Sequence, residues 1–272
     1  MPRNPGSGLS LFKNPSAAPT PRESLWDTNA MIPSSPRRTW IFLLVSSLVF
    51  FGPGFLAPAA WDKNVTYLLL SSIYQGTLVV AGFWYGPAIC KALVVRALVT
   101  GSLRQGVDRS LAKLHERKAP VRLAEIPITL VEHAIPFIVT AGLLPGQSQV
   151  FLSSGLVERL GINGLRFLLA RALVHSSLSQ RLAALLPVLV FAVMFTDIPS
   201  GVMAWLRLAG FLGGWLVVHW FFELRVDRQA AQAMGPGATE GLREMLAAND
   251  THIPWLSTHP PIRWRLRMVS DE

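Results

Sequence analysis

Cysteine is nearly absent from the sequence. The chain has 272 residues and one cysteine, Cys90, so no disulfide can form within it. Small domains that depend on disulfides are typical of secreted proteins. The cysteine content therefore excludes a disulfide-stabilised secreted domain, and it fits a protein that faces the cytoplasm.

Charged residues are also scarce. They make up 15% of the chain, against 51% hydrophobic residues and a mean hydropathy of +0.38, which is unusual for a soluble globular protein. The net charge of +9 does not indicate nucleic-acid binding, because the basic residues form no stripe with interleaved aromatic side chains. Most of them flank apolar segments, so the sequence predicts a membrane protein with no nucleic-acid partner.

Two long uncharged segments near the N-terminus, Thr39–Ala60 and Val65–Cys90, are long enough to span a bilayer. The only charged residues in the loop between them are Asp62 and Lys63, whereas lysines and arginines flank both outer ends. Because cytoplasmic flanks are rich in basic residues, we expect a multi-pass protein of a bacterial-type inner membrane with its N-terminus in the cytoplasm. A signal peptide ending near Ala57-Pro58-Ala59 is the alternative, which the long charged lead-in disfavours.

The sequence divides into five segments. A second pair of apolar runs, Leu182–Phe195 and Leu208–Phe222, is marginal in length, so it predicts a hairpin that either spans the membrane or dips into it. The predicted segments are a disordered cytoplasmic tail (1–38), a transmembrane hairpin (39–96), two parts of one cytoplasmic domain (97–181 and 223–272), and the second hairpin between those parts (182–222).

Local patterns within the first part of that domain predict a mixture of helices and short strands. Apolar residues recur at helical spacing from Leu103 to Leu114, which predicts an amphipathic helix with one buried face. Ser153 or Ser154 is expected to cap a short helix that ends at Leu160, and a second helix is expected over Asn163–Gln180. Three segments predict a small antiparallel sheet: Arg122–Val131, Ile135–Ala141 and Gln149–Ser153.

The second of those helices contains an incomplete zinc-peptidase motif. In His-Glu-x-x-His, two histidines on one helix face bind the metal, and the glutamate activates the metal-bound water. Here Arg171 and Ala172 stand at the first histidine and the glutamate, and only His175 is retained. No Gly-x-Ser-x-Gly elbow or phosphate-binding glycine loop occurs that would indicate another chemistry.

Five separated motifs follow one another in an order that resembles the integral-membrane metallopeptidases of the HtpX and CAAX prenyl protease type. The resemblance covers roughly residue 40 to the end. It implies a mainly α membrane protein with a zincin-like α+β cytoplasmic domain that is interrupted by an apolar hairpin. The motifs are residues 136–142, 150–156, the helix that ends at His175, 223–227, and 257–266.

The resemblance also implies site residues. His175 stands at the second zinc histidine and Glu223 at the third ligand, while Asp227 stands where relatives orient a ligand histidine. His259 matches the histidine of the late motif, near the catalytic cleft. Gln180 stands where many relatives have aspartate.

Two further residues bear on whether this site works. His219, Glu223 and Asp227 follow at i, i+4 and i+8, so His219 could replace the missing ligand; the favoured interpretation is a residue at the membrane boundary, beside Trp215 and Trp220. Arg171 either points to solvent or pairs with Glu223 or Asp227 in place of the metal.

We therefore expect a pseudopeptidase without a metal, one that binds a membrane-protein client or partner. The first alternative is an active zinc endopeptidase that uses His175, Glu223 and a substitute ligand such as His219. The second is a membrane sensor that resembles the transmembrane antirepressor peptidases.

Overall fold

The structure is a computed structural model, and it describes residues 36–56, 61, 64–93, 99, 101–117, 123, 125–134, 136–177, 179–181, 186, 190, 202–248 and 259–270. Most of the predicted tail (1–38) lies outside these residues. So do most of the apolar run Leu182–Phe195, the turn after it, and the residues that precede His259 in the late motif.

Two apolar helices form the N-terminal part: α1 (Pro36–Leu56) and α2 (Val65–Trp84), which contact each other. Asn64 begins α2, because its side chain accepts hydrogen bonds from the backbone N–H groups of Thr66 (2.9 Å) and Tyr67 (3.3 Å). The predicted span Val65–Cys90 is divided at Tyr85, after which α3 (Gly86–Leu93) begins.

Helices α4 (Ser102–Glu116), α5 (Ser154–Arg159) and α6 (Ile162–His175) agree closely with the predicted helices. Helix α4 buries Val107, Ser110 and Leu114 on one face, which confirms the amphipathic pattern. Ser153 caps α5 by accepting a hydrogen bond from the Leu156 N–H at 3.2 Å. Helix α6 ends at His175, earlier than predicted.

Strands β1 (Ile128–Val131), β2 (Ile138–Ala141) and β3 (Gln149–Ser153) form one sheet in the order β1-β3-β2. Strand β3 is antiparallel to β2 but parallel to β1, so the expectation of a purely antiparallel sheet is wrong. All five residues of β3 are buried. A strand that is covered on both faces lies at the centre of a sheet, so β3 lies between β1 and β2 although it comes after both in the chain.

Helix α7 (Val202–Met234) has 33 residues and runs through the boundary predicted between residues 222 and 223. Its length is about 50 Å, well beyond the ~30 Å of a hydrocarbon core. The N-terminal half exposes large apolar side chains such as Trp205 and Val217, whereas Val226 and Ala230 in the C-terminal half are fully buried. The helix therefore extends from an apolar surface into the folded domain.

Two described helical segments, Val65–Trp84 and Trp205–Met234, are long and apolar enough to cross a membrane, and their apolar windows contain no buried residue. Apolar side chains left exposed in this way need lipid around them. The protein is therefore membrane-associated, and the expectation of a mainly helical chain with a small sheet is confirmed.

The core of the domain lies between the sheet and helix α6, which packs against α4, α7 and α8 (Ala238–Ala248). Helix α9 (Ile262–Ser270) packs against α7 and α8. Gly235, at φ +69°, ends α7, and Arg117 donates a hydrogen bond to the Met234 carbonyl at 2.6 Å. This packing brings one face of α6 against the polar residues of α7.

Candidate functional site

Arg171 on α6 lies against two carboxylates of α7. Its Nε donates to Asp227 Oδ1 at 2.9 Å, and its Nη2 donates to Glu223 Oε2. Residues four apart share a helix face, so one guanidinium reaches both. The contact predicted with Glu223 or Asp227 is therefore confirmed, and it is made to both residues.

Asp227 is completely buried and binds a second guanidinium as well. Arg265 of α9 donates from Nε to Oδ2 at 2.6 Å and from Nη2 to Oδ1 at 3.0 Å, which is a bidentate pair. The resemblance implied that Asp227 orients a ligand histidine. In the structure its ion pairs within the described part of the chain are with Arg171 and Arg265.

Glu223 is buried and lies between two histidines. His175 Nε2 is 3.4 Å from Glu223 Oε1, and His259 Nδ1 is 3.2 Å from Oε2. The structure thus brings together the residues that the resemblance pointed to at positions 175, 223 and 259, and it adds Arg171 to them.

His219 lies one turn before Glu223 on α7 and joins the same cluster. Its ring stacks on Trp215, with centroids 5.4 Å apart, and its centroid is 6.2 Å from that of His259. The potential ligand atoms of His219, Glu223 and His259 all lie within 4.8 Å of one another, so these three side chains are arranged as a metal site could be.

Burial and charge act in opposite directions on the residues of α6. Burial opposes the charge on Arg171, but Glu223 and Asp227 outweigh it and raise the pKa of Arg171 above its ordinary value. Burial and the nearby Arg171 charge lower the pKa of His175, although Glu223 opposes them. His175 is therefore neutral at neutral pH.

The donor set does not fit the catalytic zinc of a His-Glu-x-x-His peptidase. A zinc ion at Glu223 would lie next to the Arg171 guanidinium, which already bonds the oxygen that faces His259. Like charges at that distance repel strongly in a buried site. Ala172 offers no carboxylate to activate a water. Binding of a metal by His219, Glu223 and His259 would require Arg171 to move away.

A cavity of about 250 Å³ lies between β2 and the C-terminal end of α6. Arg171, Ala172 and His175 line it, so position 172 borders this space. Gln180 and Arg181, just beyond α6, also line it, and both are buried. Burial lowers the pKa of Arg181 to about 10, so its guanidinium is charged at neutral pH.

Sequence reasoning missed Arg265 and Arg181 as parts of this region. Arg265 lies within the late motif, six residues after His259, and that spacing was the one signal that could have placed it near α7. Arg181 was considered only as a basic flank of the second hairpin. Its contact with β2, where Nη1 donates to the Thr140 carbonyl at 3.0 Å, joins residues 41 positions apart and leaves no local pattern.

Comparison with known proteins shows similarity in structure but not in sequence. No protein-family model matches the chain, and no curated protein matches it in sequence. The crystal structure of S. mikatae Ste24p is similar, with a TM-score of 0.51 and 14% sequence identity over 85% of this chain and 66% of that chain. The chain spans just under two thirds of Ste24p and shares its fold.

Proposed function

We propose that the protein is a pseudopeptidase of the HtpX and CAAX prenyl protease type, without catalytic zinc, that binds a membrane-protein client or partner. The observation that carries the proposal is the contact of Arg171 with both Glu223 and Asp227. The guanidinium places a positive charge where relatives have a metal ligand, so the buried carboxylates are paired without a metal.

The chemistry of hydrolysis supports the same conclusion. Peptide hydrolysis by a zincin needs a metal to polarise the carbonyl and a base to take a proton from water. Ala172 cannot act as that base, and loss of general-base catalysis alone costs about 100- to 10,000-fold in rate. The loss of a ligand and of the base together leaves binding as the retained capacity.

The proposed binding takes place at a membrane. Large apolar side chains on α1, α2 and the first half of α7 are exposed, as lipid contact requires, and the cavity beside α6 lies in the domain that packs on the second half of α7. We place the protein in a bacterial-type inner membrane as a multi-pass chain, with its N-terminus and zincin-like domain in the cytoplasm. The basic residues beside the apolar segments support this orientation.

Rebuilding the motif tests the proposal. Arg171→His restores a third ligand beside His175 and Glu223, and Ala172→Glu extends a carboxylate into the cavity. We expect Arg171→His to bind about one zinc per chain without cleaving protein, and the double variant to bind zinc and to cleave an unfolded substrate such as casein in detergent. Arg171→Gln, which removes the charge without adding a ligand, is the control and should bind zinc more weakly than Arg171→His; zinc that it does bind would identify His219, Glu223 and His259 as its ligands.

A second candidate is an active zinc endopeptidase with a nonstandard ligand set, because His219, Glu223 and His259 bring three ligand atoms together. The two candidates predict different losses. If the wild-type protein binds zinc and loses it in both His219→Ala and His259→Ala, the second candidate is correct. If the wild-type protein binds none, the pseudopeptidase is supported.

A further inference from the structure

The surface of helix α7 changes from apolar to charged between Phe221 and Arg225. Val217 and Phe221 are exposed, and no lysine, arginine, aspartate or glutamate occurs between Arg207 and Glu223. Glu223 is buried, whereas Arg225, one turn after Phe221, is exposed. Charged side chains are costly inside hydrocarbon, so the surface of the membrane crosses α7 at this turn.

The first turn of α9 meets α7 at the same level. The Trp264 ring lies edge-on against that of Trp220, with centroids 5.9 Å apart and planes at 88°. The last two residues of α9 line a cavity together with Ala231 and Gly235, at the other end of α7. Helix α9 therefore runs beside α7 away from the membrane, and its first turn lies nearest to the membrane surface.

One face of α9 is basic and aromatic. Arg265 and Val269, one turn apart, are buried, whereas Arg263, Trp264 and Arg267 are exposed on the opposite face. Trp264 is 48% exposed, a large area for an aromatic side chain in water. Tryptophan is enriched at membrane surfaces, where its ring lies at the level of the lipid headgroups. This face of α9 therefore has the composition of a membrane interface.

The charges of this face are not neutralised by the protein. Within the described residues, neither Arg263 nor Arg267 forms an ion pair, and α9 contains no acidic residue. Arg265, by contrast, pairs with Asp227. Residues four apart on a helix are separated by about 6 Å, so both free guanidiniums can reach one phosphate group, which is an anion that arginine binds well.

We propose that the exposed face of α9 binds the headgroups of anionic phospholipids, with Arg263 and Arg267 on the phosphates and Trp264 at the boundary with the acyl chains. The partner is lipid because the face begins at the turn where α7 leaves the membrane. Since Arg265 ties α9 to Asp227, this contact holds the buried network of α7 at the membrane surface. The inference does not depend on whether that network holds zinc.

A bimane label measures the depth of α9 in the full-length protein, reconstituted in phosphatidylcholine nanodiscs. In a Cys90→Ala background, Ile262→Cys places the label on an exposed position in the first turn of α9. Glu116→Cys is the control, because the neighbouring Arg117 bonds the Met234 carbonyl at the far end of α7. We expect phosphatidylcholine with a nitroxide on its headgroup to quench the label at position 262 and not at position 116. Equal quenching at both positions, or none at position 262, would overturn the proposal.

The same label at position 262 measures selectivity for charge. Phosphatidylglycerol and phosphatidylcholine, each with a nitroxide on the acyl chain near the headgroup, are compared as quenchers at low mole fraction. One arginine near an anionic surface contributes about a fivefold preference. We therefore expect phosphatidylglycerol to reach the quenching of phosphatidylcholine at a mole fraction at least about fivefold lower. Equal quenching by the two lipids would overturn the binding of anionic headgroups.

Substitution of the two arginines assigns the selectivity to this face. Arg263→Gln and Arg267→Gln should each reduce the preference for phosphatidylglycerol, and the double variant should remove it; both positions are exposed, so the variants should fold. Arg243→Gln is the matched control: Arg243 is exposed on α8 next to Glu244, which binds the end of α6 opposite to the one that faces Glu223. It should keep the full preference. A preference that survives the double variant, or that falls equally in Arg243→Gln, would contradict a contact through α9.

Discussion

Arg171 supplies the two carboxylates of α7 with a positively charged partner. Glu223 and Asp227 are buried, and a buried carboxylate is strongly unfavourable unless it is paired and hydrogen-bonded. Arg171 and Arg265 provide that pairing. In the proposed pseudopeptidase, the polar residues of a metal site are thus kept without the metal, because they form a network of ion pairs.

Asp227→Asn tests this network at its centre. The substitution removes the buried charge that pairs with the guanidiniums of Arg171 and Arg265, so we expect it to lower the free energy of unfolding by about 3–5 kcal/mol. Asp108→Asn is the control, since Asp108 forms an exposed pair with Arg104 on α4, and it should cost at most about 0.5 kcal/mol. Reversible unfolding in detergent micelles measures both. Equal losses would mean that Asp227 is not the centre of the network.

The partly buried position of His175 predicts how stability depends on pH. Burial and the nearby Arg171 and Arg181 charges lower its pKa in the folded protein, and contact with Glu223 opposes them. The unfolded chain therefore takes up the proton first, at about pH 6.5. The stability that neutral His175 provides is complete above that pH and is lost as the pH falls below it.

We expect the melting temperature of the wild-type protein to fall more between pH 7 and pH 5 than that of His175→Gln, which cannot take up this proton. His115→Gln, at an exposed position on α4, should follow the wild-type curve. Parallel curves for the wild-type protein and His175→Gln would contradict the assignment.

The contact of Arg171 with Glu223 and Asp227 could be predicted from the sequence, whereas the contacts of Arg265 and Arg181 could not. The spacing of residues 223 and 227 places both carboxylates on one face, so a cation such as Arg171 could be matched to them. Arg265 and Arg181 reach their partners from separate elements. A single arginine carries no periodic signal that identifies such a partner.

At the scale of elements, the helices were predictable because their apolar periodicity and capping residues are local. The place of β1 beside β3 was not, because strand pairing depends on which strand is buried on both faces. The continuation of α7 past Phe222 was missed for a related reason. The change from apolar to polar residues marks the end of an apolar surface, while the helix continues to Met234.

The close packing of α6 against α8 depends on glycine at position 241. A Cβ atom there would lie 2.5 Å from the Asn163 carbonyl oxygen and 2.9 Å from the Phe167 Cβ. Because backbone cannot easily move aside, we expect Gly241→Ala to cost about 1–3 kcal/mol of stability. Gly106→Ala, in α4 with open space around its Cα, should instead stabilise by about 0.5–1 kcal/mol. Thermal unfolding of both variants measures the difference, and a stabilised Gly241→Ala would show that the helices are not in close contact there.

At the scale of the whole molecule, the exposed apolar helices and their basic flanks predict an orientation in the membrane that can be tested. Cys90 is the single cysteine of the chain, so a Cys90→Ala background allows one new cysteine at a time. We expect Asp62→Cys, in the loop between the first two apolar segments, to react with a membrane-impermeant maleimide in intact cells. Glu116→Cys, at the exposed end of α4, should react only after the membrane is opened. The reverse pattern would contradict a cytoplasmic domain.

The account depends most on the claim that Arg171 takes the place of the metal. The direct measurement is the zinc content of the wild-type protein, purified in detergent without chelators, beside that of His175→Ala and Arg171→His. We predict less than about 0.1 zinc per chain in the first two proteins and about one in Arg171→His, where a third ligand joins His175 and Glu223. About one zinc per wild-type chain, lost in His175→Ala, would contradict the account and support an active metallopeptidase instead.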